Sequence, residues 1–584
     1  MDLWRAHRGQ RLVVRRLQAA SLDGNLERMS DGRVSWQLGQ NAQPNAAAEL
    51  APPVVEQLQV NSGRLRLLDE ALDLDVQALL SLVDEQAAST LRLSANGKYR
   101  KLPLKVDLQA AGVMPWATAD SHATVLPFTL SASVGKAQLS LQGSAKDALH
   151  LRGLSGRFNL SGPSLAAVGD PVGLTLPTTA PFRAKGFITQ TGDSWFARID
   201  EANVGATRLN GSFKFEPGRP VPLLSGRLGG SRLALVDLGP VVGTTTVMTA
   251  PPDESSVKPL EQAKGALRAS TRAKGRVLPN RPFDLAALRK MDANVLIDIA
   301  ELDANTTWLA PLRPLHAHLR LEQGVLSLQD LDARMGGGRL AGELRLDGRN
   351  AEALWTADLR WDAVQLEQWI RFRRSDSAPP YVTGRLGGRA NLAGRGRSTA
   401  EILASLKGQV LTTLQGGQIS HLAIELAGVD IAEGLGVMLK GDDLLPVHCA
   451  VADLVVDAGV FRPRVMVLDT PDSAAWVEGS LSLASEAIDL RAVVSPKDFS
   501  PLALRTPLRV QGTLASPQLT LEKGPMGRKL AAAFLLALVN PLAALIPLID
   551  TGDAQAAAAA AARGTAGCRS LAQRHHRPVP VIKK

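Results

Sequence analysis

Aromatic residues make up only 4% of this 584-residue chain, while 45% of it is hydrophobic. Whatever it buries is therefore built from Leu, Val and Ala, not from stacked rings. Cysteine is nearly absent. Cys449 and Cys568 are the two present, and neither sits in a CxxC pair or a metal-spaced set, which excludes zinc-ribbon and thiol-redox chemistry. So few cysteines suit an oxidising compartment with at most one disulfide. Met1-Asp2-Leu3-Trp4-Arg5 runs on into basic and polar residues, without an apolar stretch of signal-peptide length. Read literally, that start would leave the chain in the cytosol. Enzyme signatures are also missing. There is no GxSxG, no HExxH and no P-loop, and no visible nucleophile–base pair to support a hydrolase. Zinc-finger, RNA-recognition and helix-turn-helix patterns are missing too, so nucleic acid is not an expected partner.

The formal charge of +10 is uneven. Residues 563–584 carry Arg563, Arg569, Arg574, Arg577, Lys583 and Lys584 and no acid, leaving +4 for everything before them. The body is nearly balanced. The tail is either a solvated extension or a segment that meets anionic head groups. At 584 residues the chain is also too long for one ordinary hydrophobic core.

Period-two alternation is what the chain has in abundance. Leu340, Gly342, Leu344 and Leu346 oppose Arg339, Glu343 and Arg345. Val477, Gly479, Leu481 and Leu483 oppose Trp476, Glu478, Ser480 and Ser482. Ile488 and Leu490 oppose Asp489 and Arg491, and Val510 and Leu514 oppose Arg509, Gln511 and Thr513. In the first half Leu65 and Leu67 alternate with Arg64 and Arg66, and Leu72, Leu74 and Val76 with Asp73 and Asp75. Gly, Asp, Asn or Pro bounds each run, as in strands. One phrase recurs in Val60-Asn61-Ser62-Gly63, Leu321-Glu322-Gln323-Gly324 and Val456-Asp457-Ala458-Gly459. These read as hairpins repeated with small variation, so a repeat array is expected.

The predicted fold is mainly β: a long, repetitive, twisted antiparallel sheet; that it forms an elongated groove is what a family resemblance, and not the pattern, implies. A few helices and a C-terminal apolar helical hairpin complete it. Residues 1–240 form an N-terminal β section, 241–281 a flexible linker and 282–524 a second β section. Residues 525–550 form the apolar hairpin, and 551–584 an Ala-rich, basic tail. Ser398 should cap a helix over 399–406 with Glu401 in its first turn. A longer helix is expected over 419–440, and a third near 282–291. On the order of 25–30 strands would extend ~120–140 Å at ~4.8 Å spacing. The few helices cannot cover that much apolar surface, so either the sheet folds into sandwiches, which the pattern by itself favours, or its apolar face is an open groove.

Other features have plain readings. Gly434 and Gly436 lack the third glycine of a dinucleotide loop, and Gly336-Gly337-Gly338 reads as a turn between strands. His316 and His318 share a strand face without a third ligand, so no metal is expected. His421, His448, His575 and His576 have no partner pattern. Lys497-Asp498-Phe499 is a turn between Pro496 and Pro501. No cofactor is implied.

The second half resembles the AsmA family. The resemblance lies in Cys449-Ala450-Val451-Ala452-Asp453, Arg462-Pro463 and Val467-Leu468-Asp469-Thr470. It continues through Pro496-Lys497-Asp498-Phe499-Ser500-Pro501-Leu502, Thr506-Pro507-Leu508, Gly512 and Val539-Asn540-Pro541-Leu542-Ala543-Ala544-Leu545. It is good over about 281–550 and carried by repeat style over about 20–240. The resemblance implies a non-catalytic envelope protein with a periplasmic body and an inner-membrane anchor, related to repeating β-groove, bridge-like lipid-transfer proteins. Its implied partners are phospholipid, a membrane surface and other envelope proteins. Its implied role is phospholipid delivery between inner and outer membranes in outer-membrane biogenesis, with a scaffold for outer-membrane protein assembly as the alternative. The family's usual opening transmembrane helix is not seen here, so the chain reads as N-terminally incomplete or given too late a start codon.

Three sets of site residues follow. Leu340, Leu344, Leu346, Leu481, Leu483, Ile488, Leu490, Val510 and Leu514 should line one apolar lipid groove. Cys449 and Cys568 are a candidate disulfide, since the resemblance places a cysteine near each position. Leu530–Ile549 is a charge-free stretch broken by Asn540-Pro541 and Pro547. It is long enough to span a membrane, yet two half-helices at an interface or capping the groove end fit the break better. A buried helix is the third option. Leu535, Leu536, Leu538, Val539, Leu542, Leu545 and Ile546 are its expected membrane contacts.

Overall fold

The computed structural model describes residues 13–14, 17–31, 33–35, 54–55, 58–85, 88–111, 125–146, 153–169, 176, 178–241, 283–304, 309–370, 380, 382–420, 444–471, 473–496, 508–514 and 516–521. Strands dominate, twenty-nine of them among the described residues. The chain divides into two compact units, Met1–Gly230 and Ser231–Lys584. The boundary falls just before the expected linker, and 242–281 lies outside the described residues. So do most of the long helix expected over 419–440, the Lys497-Asp498-Phe499 turn, the apolar stretch 525–550 with its seven proposed membrane contacts, and the tail. The described residues therefore give no support to the C-terminal helical hairpin. None of their helices is long and apolar enough to cross a membrane.

Within each unit, neighbours in sequence pair as antiparallel neighbours in the sheet. The recurring phrase explains two of the hairpins. Gln323 and Gly324 have φ of 50° and 81°, and Ala458 and Gly459 have 48° and 70°. Both central residues of each turn are thus left-handed, the type I′ geometry whose twist suits a two-residue hairpin. Glu322 accordingly pairs with Val325, and Asp457 with Val460. The third copy behaves differently. Val60–Gly63 lies inside the strand Leu58–Asp69, where the register slips against the next strand. A Cβ on Gly63 would come within 2.7 Å of Leu80 Cγ, so here glycine serves close packing and not a turn.

Four further expectations need correction. The sheet is mixed, not purely antiparallel. Leu17–Arg28 runs parallel to Leu58–Asp69, and Leu233–Ala234 runs parallel to Leu302–Asp303. Long connections intervene in both cases, and parallel pairing requires such a crossover. The helix expected from 419 does not begin there, because the strand Lys407–Ser420 continues to Ser420. The helix expected near 282–291 shrinks to a 3-10 turn, Ala287–Arg289, since the next strand already starts at Asp292. Leu483 and Leu514 lie just beyond the strands Ser473–Ser482 and Leu508–Thr513. Their backbone N–H groups donate to Gly459 O and Glu486 O, which ends the ladder.

The helix after Ser398 runs Thr399–Ala404. The Ser398 hydroxyl accepts from the Glu401 N–H at 3.2 Å, and the Glu401 carboxylate accepts from the Arg397 N–H at 2.8 Å. This reciprocal pair satisfies donors that a helix start leaves free. The short helix packs its Ile402 and the following Leu406 over Gly394, where a Cβ would meet Ile402 O at 2.6 Å.

Candidate functional site: an uncovered apolar face

Strand register fixes which side chains share a face, because residues directly opposite one another point the same way. In the second unit one row can be followed strand to strand. Val295 pairs with Leu319, then Leu328, Leu344, Ala357, Leu392 and Gly408. The row continues through Val456, Phe461, Leu481, Ile488 and Gly512. Every member is apolar or glycine. A second row holds Leu340, Trp361, Gly388 and Thr412. Thr412 is its polar exception, and its hydroxyl is satisfied by Gly387 O and by Trp361 Nε1, each at 3.3 Å.

The first unit repeats the arrangement. Leu80 pairs with Leu93, then Leu108, Leu130, Leu141, Phe158, Gly186, Ile199 and Gly211. The opposite face is polar. One of its rows reads Asp107, Ser131, Ser140, Asn159, Lys185 and Glu201. A shallow cavity of ≈ 690 Å³ lies on that polar side, lined by these six residues among others.

All nine residues expected to line a groove have half-buried side chains. Leu340, Leu344, Leu346, Leu481, Ile488, Leu490 and Val510 share the apolar face by register, with Leu483 and Leu514 at its margin. Their neighbours Arg339, Glu343, Arg345, Glu478 and Asp489 are exposed. Half-burial is the informative quantity. A facing layer in a sandwich takes such positions to near-complete burial. Here Met466, on the same face as Ala452, is 37% exposed, and Leu22, paired with Gly63 in the first unit, is 44% exposed.

The face closes over at its margins and also at Leu331, Ala333, Ala357, Ala390 and Val456, each 7% exposed or less. At one margin, Ile419, Val447 and Val494 form a buried cluster with Val382, Leu414, Leu445, Leu468 and Ala475. At the other, Leu285 and Leu288 sit over Gly348, and Ile402 over Gly394. Sequence reasoning missed these margins and most of the face, including Leu392, Val410, Leu454 and Phe461. Their strands alternate as clearly as the nine, and following the pattern through them would have found them.

The described residues hold no cluster of His, Cys, Asp or Glu fit for a metal. His316 Nδ1 lies 3.3 Å from Asp298, and His318 Nε2 lies 2.7 Å from Asn294 Oδ1, both on the polar face. Cys449 is buried beside Leu411 and Val451 and is disulfide-bonded; Cys568 lies outside the described residues.

Electrostatics stay on the polar side. Arg339 donates to Asp332 at 2.8 Å and holds its carboxyl below the usual aspartate value. Arg349 does the same for Asp347. In both pairs the side-chain hydrogen bond is the main cause, opposed by burial.

Residues 198–466 match the family model described as the AsmA family. This stretch is similar to the AsmA family. Over 470 residues it is 29% identical to AsmA family protein YhjG of Escherichia coli (strain K12), a match covering 80% of this chain and 66% of that relative. The chain thus spans just under two thirds of that protein's length. No solved structure matches. The AsmA match takes in most of the apolar row of the second unit, from Val295 to Phe461.

Proposed function

We propose that this chain is a non-catalytic, lipid-handling protein of the bacterial envelope whose apolar faces take the acyl chains of phospholipid. The reading extends to phospholipid movement between the inner and outer membranes, with the β body in the periplasm. The observation that carries it is the row from Val295 to Gly512, which crosses twelve strands without a charge and in which Leu319, Leu328, Leu344, Leu392, Phe461, Leu481 and Ile488 are only half-buried. At ~4.8 Å per strand the row runs on the order of 50 Å. That is longer than the ~30 Å hydrocarbon core of a whole bilayer, so several lipids could lie side by side. Hydrocarbon is the ligand such a strip favours, at ~25 cal/mol per Å² of apolar area removed from water. Similarity to the AsmA family supports the envelope setting. In the competing reading, a scaffold for outer-membrane protein assembly, a protein partner would cover the strip.

Photo-crosslinking residues at Leu344 and Leu481, compared with Glu343 and Asp489, test the proposal in envelope-extracted protein. Phospholipid adducts should form at the first pair and not at the second. Adducts on both faces alike, or protein adducts alone at the leucines, would overturn it.

A further inference from the structure

One margin of the apolar face carries a pocket of a different character. The 3-10 turn Ala287–Arg289 lays Leu285 and Leu288 over Gly348, and the helix Thr399–Ala404 lays Ile402 over Gly394. The two caps are tied together where the Phe283 N–H donates to Arg397 O at 2.7 Å. Between them lies a cavity of ≈ 380 Å³ lined by Phe283, Leu285, Arg289, Asn350, Ala351 and Arg397.

The lining is amphipathic in an ordered way. Phe283 and Leu285 supply an apolar wall beside the face, and Arg289, Asn350 and Arg397 supply donors and no carboxylate. Arg289 spends one N–H on Arg349 O at 3.3 Å. Arg397 stands 3.7 Å from Glu401, too long for a full hydrogen bond. Both guanidiniums therefore retain free N–H groups, and such forks match phosphate oxygens better than ammonium groups do.

We infer that this pocket seats the phosphate of a phospholipid whose acyl chains lie on the adjoining apolar face. The inference rests on the lipid-handling reading above and adds a headgroup specificity to it. An amphiphile on a half-open strip keeps its polar end at the margin, in water. A margin offering two guanidiniums and an amide then favours an anionic headgroup over an uncharged one.

The test uses the full chain and two fluorescent lipids with the same acyl chains, phosphatidylglycerol and diacylglycerol. The wild-type protein should bind phosphatidylglycerol at least tenfold more tightly. Arg289→Gln combined with Arg397→Gln should bring the two affinities within about twofold while leaving diacylglycerol binding unchanged. Both arginines are exposed, so far-UV circular dichroism should be unaltered, and Arg289→Lys with Arg397→Lys should recover part of the preference. Inorganic phosphate should compete only weakly. A preference that survives the double Gln substitution overturns the assignment, as does equal binding of both lipids by the wild type. Full competition by inorganic phosphate would make the pocket a simple anion site and overturn it as well. Failure to bind either lipid would instead overturn the lipid-handling reading on which the inference rests.

Discussion

Replacing Leu490 with Asp separates an open apolar face from a covered core. Leu490 pairs with Gly479 on one side and Val510 on the other, and it is half-buried. Gly479 offers no side chain to cover it. Fully burying a leucine is worth about 1.5–3 kcal/mol, so losing half of that costs the lipid-free protein about 1 kcal/mol. The new carboxylate can still reach water. A domain of a few hundred residues should then lose about 2–4 °C in Tm. With an acyl chain laid across the position, the carboxylate would be stranded in hydrocarbon at a cost of about 3 kcal/mol or more. At about 1.4 kcal/mol per decade, that lowers lipid occupancy roughly 100-fold. The measurement is lipid capture by a photo-crosslinker at Leu481, with Tm recorded on the same preparations. Undiminished capture in the variant would refute the reasoning. So would a collapse in Tm of well over 10 °C, because it would mean that Leu490 sits in a packed core.

Other consequences are equally concrete. A Cβ at Gly479 would stand 2.1 Å from Asp489 O, and φ there is 112°, so Gly479→Ala should destabilise by about 1–3 kcal/mol, read as a shifted urea midpoint. Asp347 has its carboxyl value lowered by Arg349, so its contribution to stability is full above the ordinary 3.8 and fades as pH falls through the lowered value. Asp347→Asn should therefore lower Tm at pH 7 and lower it progressively less as pH falls below 3.8; a loss that does not change with pH would count against the pairing. Cys449 and Cys568 should both be oxidised in periplasmic material, and non-reducing mass spectrometry finding two free thiols would dispose of the bridge. In the chain-entropy model a loop on the order of 100 residues is worth up to about 4–5 kcal/mol, so reduction should lower Tm measurably.

Much of the fold was legible because the side-chain period of a strand is two and one face here is apolar. Arg339, Glu343 and Arg345 could point only one way if Leu340, Leu344 and Leu346 pointed the other, and the register bears this alternation out. Capping chemistry was readable too, since Ser398 and Glu401 stand at the spacing a helix start demands. Local pattern fails where distance in the chain decides. Leu17–Arg28 looks like any other strand, and nothing within it announces a parallel partner at Leu58–Asp69. Gly63 and Gly324 sit in the same phrase, yet Gly63 packs against Leu80 while Gly324 turns a hairpin. The local letters match, and the neighbouring strand makes the difference. Residues 419 and 420 carry on an extended strand for a similar reason: Ser420 pairs with Leu444 and Ile419 with Leu445, contacts that helix periodicity cannot see.

Whether an apolar face is covered is a question of the same non-local kind, and it is the one on which function turns. Alternation guarantees a face that water disfavours, but it is silent on what faces it. The structure answers through graded exposure. Ile419, Val447 and Val494 are at most 9% exposed, as in a core, whereas Leu344, Leu481 and Leu490 on the same face are only half-buried. Scarce aromatics fit the same logic. Large rings fill the space between two packed layers, while a strip of Leu, Val, Ala and Gly presents a low, even surface along which a flexible hydrocarbon chain can lie and shift. On the proposed reading, strand pairing and the buried parts of the face stabilise the sheet, and its half-buried leucines are left for a ligand to cover.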